Sequence, residues 1–90
     1  MEKQKITVRV AGRDMTLVSP DAPEYMHRVA AYADRKIQET AMAARLPVPS
    51  AAILAAVNLT DELMKAQDEN RRLRAEMMQL RAEAEQKRAE

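Results

Sequence analysis

Residues 56–88 read AVNLTDELMKAQDENRRLRAEMMQLRAEAEQKR, and nine positions in that stretch follow an unbroken 4-3 spacing: Ala56, Leu59, Leu63, Ala66, Asn70, Leu73, Met77, Leu80 and Ala84. Such spacing is the seam of a coiled coil, because helices supercoil around apolar residues that recur every 3.5 residues on average. With Leu63 at heptad position a, the a set is Ala56, Leu63, Asn70, Met77 and Ala84, and the d set is Leu59, Ala66, Leu73 and Leu80. Asn70 is the one polar residue in the seam. A buried Asn at an a position fixes register at a cost in stability.

The charges beside the seam specify how two such helices pair. Glu62, Glu69, Glu76 and Glu83 occupy g, and Gln67, Arg74, Arg81 and Arg88 occupy e. In a parallel, in-register dimer each g residue faces the e residue of the next heptad on the other chain, so Glu69 meets Arg74, Glu76 meets Arg81, and Glu83 meets Arg88. An antiparallel pair would set glutamates against glutamates and arginines against arginines. Exposed ion pairs are worth only about 0.2–1 kcal/mol each, against roughly 1.5–3 kcal/mol for burying a Leu. The leucines therefore supply affinity and the charges choose orientation.

Working outward, the remaining chain is small and poor in large apolar side chains. Of 90 residues 47% are hydrophobic, but 17 residues are alanine, and there is no Phe, Trp or Cys. Neither an aromatic core nor disulfides can offset small size, which leaves oligomerisation as the route to stability. No apolar run approaches the roughly 20 residues needed to span a bilayer. Met1-Glu2-Lys3-Gln4-Lys5 lacks the apolar stretch of a signal peptide. These features predict a cytoplasmic chain without membrane insertion.

Residues 5–18 alternate apolar and polar, with Ile6, Val8 and Val10 on one face and Lys5, Thr7 and Arg9 on the other. This is the period of a strand. Gly12 is the only glycine, and Gly12-Arg13 fits a two-residue type II′ turn that pairs Ala11 with Asp14, Val10 with Met15, Arg9 with Thr16 and Val8 with Leu17. A β-hairpin over 5–18 results, with its apolar side chains on one face.

After the hairpin, Asp21 is placed to cap a helix, Glu24 follows three residues on as in a capping box, and Pro23 suits a first turn. A helix is expected over about 22–44, burying Met26, Val29, Ala30, Ala33, Ile37 and Ala41. Tyr25 and Tyr32 lie on an adjacent stripe suited to core or dimer packing. His27, Arg28, Ala31, Asp34, Arg35 and Gln38 fall on the polar side.

Pro47 and Pro49 break that helix, and Ser50 suits the N-cap of the next. No Gly or Pro follows up to Glu90. Ile53, Leu54 and Val57 lie off the seam and are expected to pack on the first helix and the hairpin.

Catalytic chemistry finds no support. One glycine cannot build a phosphate-cradling loop, and no nucleophile with a paired base is evident. With one His and no Cys, no metal or cofactor is expected. Net charge is +1, without the basic stripe of nucleic-acid binders. Arg71, Arg72 and Arg74 are interleaved with Glu69 and Glu76, the pattern of a solvated coiled-coil flank. Nucleic acid is therefore not an expected partner, and a small coiled-coil nucleic-acid binder or a generic dimerisation module stands only as the alternative reading.

Three segments carry a resemblance to a known family: Gly12-Arg13, Pro23-Glu24-Tyr25, and Ala55-Ala56-Val57-Asn58 leading into Asp61-Glu62-Leu63. Over residues 5–65 the chain resembles the bacterial cell-division ZapA family, and the remaining tail matches in type. The resemblance implies a non-enzymatic adaptor at the division septum that binds the tubulin-like GTPase FtsZ and bundles its protofilaments. It implies Arg13, with Gly12 in the hairpin turn, as the first filament contact and Arg45 as a second. Asn58 takes a buried polar role at the junction of head and coil.

The resemblance also implies a homodimer, with a dimer of dimers as a further state. A second stripe at Met64, Arg71, Ala75, Met78 and Ala82 is partly apolar and leaves both states open. The expected architecture is α+β: an N-terminal β-hairpin, a short helix, then a long helix forming a parallel dimeric coiled coil. Residues 1–58 form the globular head and residues 59–90 the coiled-coil tail.

Overall fold

The computed structural model describes residues 2–90. Element order is β1 (Gln4–Val10), β2 (Arg13–Ser19), α1 (Pro23–Ala44) and α2 (Val48–Ala89). The chain divides into two compact units, one reaching to Val57 and one of Asn58–Glu90. The hairpin, the pair of helices and their order are those read from the sequence.

The hairpin turn differs from expectation. Its central residues are Ala11 and Gly12, both with positive φ, at 56° and 77°, so the turn has the signature of type I′ rather than II′. β1 and β2 pair antiparallel with Val10 opposite Arg13, Arg9 opposite Asp14, Val8 opposite Met15, Thr7 opposite Thr16 and Ile6 opposite Leu17. The expected pairs are thus displaced by two residues. An even displacement keeps every side chain on its face, so the apolar face is the expected one while the register differs from expectation. Types I′ and II′ both match the right-handed twist of the flanking strands; in the observed register Arg9 gains Asp14 across the hairpin at 3.1 Å.

The first unit has two small apolar clusters. Ile6 and Val8 of β1 bury against Ala30 of α1, with Val10, Leu17 and Met26 around them. Ile37 of α1 buries against Ala51 and Ala55 of α2, flanked by Ala41, Leu46 and Val48, and Val10 also reaches this cluster. The buried face of α2 is thus Ala51 and Ala55, both fully covered. Ile53, Leu54 and Val57, expected to pack inward, are exposed. The covered positions of α2 thus carry only methyl groups, which Ile37 of α1 reaches across to.

Helix boundaries show two further corrections. The N-cap of α1 is Ala22, with no side-chain cap. Asp21 is engaged by Ser19 instead, donating its N–H to Ser19 Oγ at 3.1 Å and accepting from that hydroxyl at 3.3 Å. α2 starts at Val48, two residues before the expected Ser50 cap, and its first turn closes through Ala51 N–H donating to Pro47 O at 2.9 Å. Pro49 is tolerated there because a first-turn N–H has no intrahelical acceptor.

α1 ends where Arg45 enters the left-handed region at φ 54° and ψ 48°. Leu46 N–H donates back to Ala41 O at 3.0 Å, the six-to-one bond of a Schellman motif. Leu46 and Ala41 both pack on the Ile37 cluster, which supplies the hydrophobic contact that accompanies such an ending.

Candidate functional site

Two surfaces stand out, one in each unit. In the second unit, Leu63, Leu73, Met77 and Leu80 are 56%, 45%, 53% and 64% exposed. Leu59, at the start of the seam, is half-buried and Ala66 is exposed. A shallow hollow on one side of α2 is lined by Leu63, Ala66, Gln67, Glu69, Asn70 and Leu73, of which Leu63, Ala66, Gln67 and Asn70 are successive a, d, e and a positions. Four residues around a depression on a helix make the hole that receives a knob from a second helix. A lone chain leaves this seam in water, so the helix face is incomplete by itself.

The flanking charges are partly engaged within the helix. Arg72 binds Glu69 and, at 2.7 Å, Glu76. Arg71 binds Asp68, and Lys65 binds Asp61 at 2.9 Å. The Arg72 hydrogen bond holds the Glu69 carboxyl below its ordinary range, and the Asp61 hydrogen bond raises Lys65. Among the described residues Arg74, Arg81 and Arg88 form no ion pair within the chain. These are the e-position arginines assigned to a second chain. Arg71 and Arg72, the core of the basic cluster, are already matched by carboxylates.

In the first unit, the hairpin turn and the link between the helices converge. Ala11, Arg13, Val48, Pro49 and Ala52 line an open cleft of about 260 Å³, and Ala11, Leu46 and Val48 share the Ile37 cluster. Arg13 opens β2 opposite Val10 and is exposed. Gly12 completes the turn, and a Cβ there would touch nothing within 4 Å, so only its φ argues for glycine. Arg45, the exposed left-handed ending of α1, lies three residues before Val48 in that same link. The expected contact residues are thus brought to one end of the hairpin and its adjoining link.

Asp34 was placed on the polar side of α1, yet it holds this end together. Its Oδ1 accepts the Ala11 N–H at 2.9 Å. Sequence carries little sign of this, since an Asp on a polar helix face is unremarkable by periodicity. The one available clue was Ala-Gly in a turn that favours Asn-Gly. Tyr25 and Tyr32 are exposed rather than buried in the single chain, with the Arg28 and Arg35 guanidinium groups over their rings at 5.7 and 5.3 Å. Asn58 is exposed too, so any burial there requires a second chain. No group of acidic, His or Cys side chains fit to hold a metal occurs among the described residues, and no single helix among them is long and apolar enough to cross a membrane.

A hairpin and helix packed on the start of a long helix whose seam is bare define a class of small coiled-coil proteins with globular heads. The family model of cell division protein ZapA matches residues 6–90. The chain is similar to the cell division protein ZapA of Geobacillus kaustophilus, 38% identical over 73 residues that cover 80% of each chain. It is likewise similar to that of Halalkalibacterium halodurans, 40% identical over 73 residues and 80% of each. A ZapA mutant dimer from Geobacillus stearothermophilus superposes with a TM-score of 0.70 at 33% identity, over 86% of this chain and 91% of that one. The chain belongs to the ZapA family of cell division proteins, which is not a family of enzymes.

Proposed function

We propose that this chain is a cytoplasmic division adaptor that dimerises through α2 and cross-links FtsZ protofilaments at the midcell ring. The observation that carries the reading is the bare heptad seam of α2 in a chain that the ZapA family model matches over residues 6–90. Residues 1–58 serve as the filament-binding head and residues 59–90 as the coiled-coil tail. The dimer of the Geobacillus stearothermophilus relative supports self-association.

Two helices pair in parallel, with Glu69, Glu76 and Glu83 facing Arg74, Arg81 and Arg88 of the second chain. Arg72 competes for two of these glutamates from within its own helix, so the interchain pairs add orientation more than strength. The turn that carries Gly12 and Arg13, with Arg45 in the adjoining link, presents the basic contacts to the filament. Two heads on one dimer, or four on a dimer of dimers, turn a weak single contact into a strong joint one.

Co-sedimentation with polymerised FtsZ at physiological salt tests this reading. Enrichment of the chain in the pellet, with filaments gathered into bundles, is the expected result; a chain that stays in the supernatant refutes it.

A further inference from the structure

The hairpin has two registers open to it, and its apolar pattern does not choose between them. Pairing about Ala11-Gly12, as observed, sets Ile6 opposite Leu17 and Val8 opposite Met15. Pairing about Gly12-Arg13 would set Val8 opposite Leu17 and Val10 opposite Met15. Both keep the same residues on the face that meets α1, because the two differ by an even displacement.

Local conformational cost works against the observed register. It puts Ala11, a residue with a Cβ, at φ 56°, where an L-residue is disfavoured. The alternative places Gly12 first in a type II′ turn, where glycine is the preferred residue. Two contacts oppose that cost. One is the Arg9–Asp14 ion pair, whose side chains are both 67% exposed and which is correspondingly weak. The other is the part-buried hydrogen bond from Ala11 N–H to Asp34 Oδ1, stronger because its acceptor is a carboxylate. That bond reaches from the turn to α1, 23 residues on. It exists only when Ala11 is in the turn conformation observed.

We propose that Asp34 is a positioning residue: by accepting the Ala11 N–H it selects the hairpin register and so places Arg13 at the head of β2, beside the cleft of Val48, Pro49 and Ala52. In the alternative register Arg13 becomes a turn residue, and its side chain leaves the strand position opposite Val10. The consequence for filament binding rests on the function proposed above; the choice of register does not.

The experiment therefore has two arms, on full-length Asp34→Ala, Asp34→Asn and the double variant Asp34→Ala with Ala11→Gly. The first arm needs no filament. In the observed register the close, non-hydrogen-bonded pairs include Thr7 with Thr16, and in the alternative they include Val8 with Leu17. Nuclear Overhauser contacts between α-protons distinguish them. Wild type should show Thr7–Thr16, Asp34→Ala should gain Val8–Leu17, and the double variant should return to Thr7–Thr16, because glycine removes the strain that Asp34 otherwise offsets. Asp34→Asn keeps an acceptor and should stay close to wild type.

The second arm measures filament binding per head. Asp34→Ala should lose about tenfold, or about 1.4 kcal/mol, with the dimer mass unchanged, and Ala11→Gly should restore most of it. A purely structural role would lower thermal stability without rescue by Ala11→Gly. An unchanged Thr7–Thr16 contact in Asp34→Ala overturns the proposal, as does a double variant that fails to regain that contact. Should Asp34→Ala fail to fold, the double variant carries the test alone, and its failure to fold also overturns the proposal. Wild type that ignores filaments refutes the function while leaving the first arm intact.

Discussion

Truncating Leu73 probes whether the seam of α2 is what joins two chains. In the single chain Leu73 keeps 45% of its surface in water. Complete burial of a Leu is worth about 1.5–3 kcal/mol, so covering the remaining fraction contributes roughly 0.7–1.4 kcal/mol per chain by the same area scale. The residue occurs twice in a dimer, which doubles the effect to roughly 1.4–2.7 kcal/mol and predicts an about ten- to hundredfold weaker dimer for Leu73→Ala. Alanine is at least as good a helix former as leucine, so the helix itself is spared.

Met78→Ala is the matched control. Met78 is 72% exposed, more than Leu73, but it falls at heptad position b, off the seam. Its loss should move dimerisation by less than about 0.5 kcal/mol and should weaken only an association step beyond the dimer. Sedimentation equilibrium across a concentration series reads both variants. The reasoning is refuted if Leu73→Ala leaves the dimer isotherm in place, or if Met78→Ala shifts it as far.

Reversing the charge in the turn by Arg13→Glu should leave the dimer mass and helix content intact while abolishing filament bundling; unchanged bundles would clear Arg13 of a contact role. Arg45→Gly relieves a left-handed residue costing about 1–2 kcal/mol and gives back about 0.5–1 kcal/mol in unfolded-chain entropy. A net gain of about 0.5–1 kcal/mol should raise the thermal midpoint, and a lower midpoint would contradict the cap described here. If Arg45 contacts the filament, bundling falls in that variant even as stability rises. Glu69 has a folded-state pKa lowered by Arg72, so its contribution is present above the ordinary carboxylate value and is lost as pH falls through the lowered one. The acid-side decline of tail helicity, setting in below about pH 4.3, should be shallower in Glu69→Gln, and the difference should shrink at high salt; equal slopes would argue against that pairing.

The parts of this fold that sequence made legible are those set by periodicity. The two-residue alternation gave β1 its inward face at Ile6 and Val8, and helical spacing picked out Ala30 and Ile37 as buried on α1. The parts it missed depend on single hydrogen bonds or on which face of a helix meets its neighbour. Register required knowing that Asp34 reaches the turn, a contact across 23 residues with no periodic trace. The cap of α1 required knowing that Ser19 takes Asp21 away. On α2 the reading favoured the large residues Ile53, Leu54 and Val57 for the core, whereas packing used Ala51 and Ala55. Arg13 and Arg45, proposed as filament contacts, are reached through family resemblance alone, since an exposed arginine has no pattern of its own.

That choice of alanine has a thermodynamic consequence. The buried apolar residues of the described chain are Ile6, Val8, Ala30, Ile37, Ala51 and Ala55, and half of them offer only a methyl group. Two clusters of this size supply little of the burial needed to offset the conformational entropy of ordering more than fifty residues. The exposed leucines of α2 hold a larger reserve, but that reserve is released only when a second chain covers it. The residues of α2, Val48–Ala89, include both the exposed leucines and Ala51 and Ala55, which meet Ile37. Pairing through α2, as proposed, would thereby stabilise the first unit by mass action. On the proposed function, a single-chain head would be a poor filament ligand for the same reason that it would be a poor fold, and a two-headed form would couple recognition to the valence needed to bridge filaments.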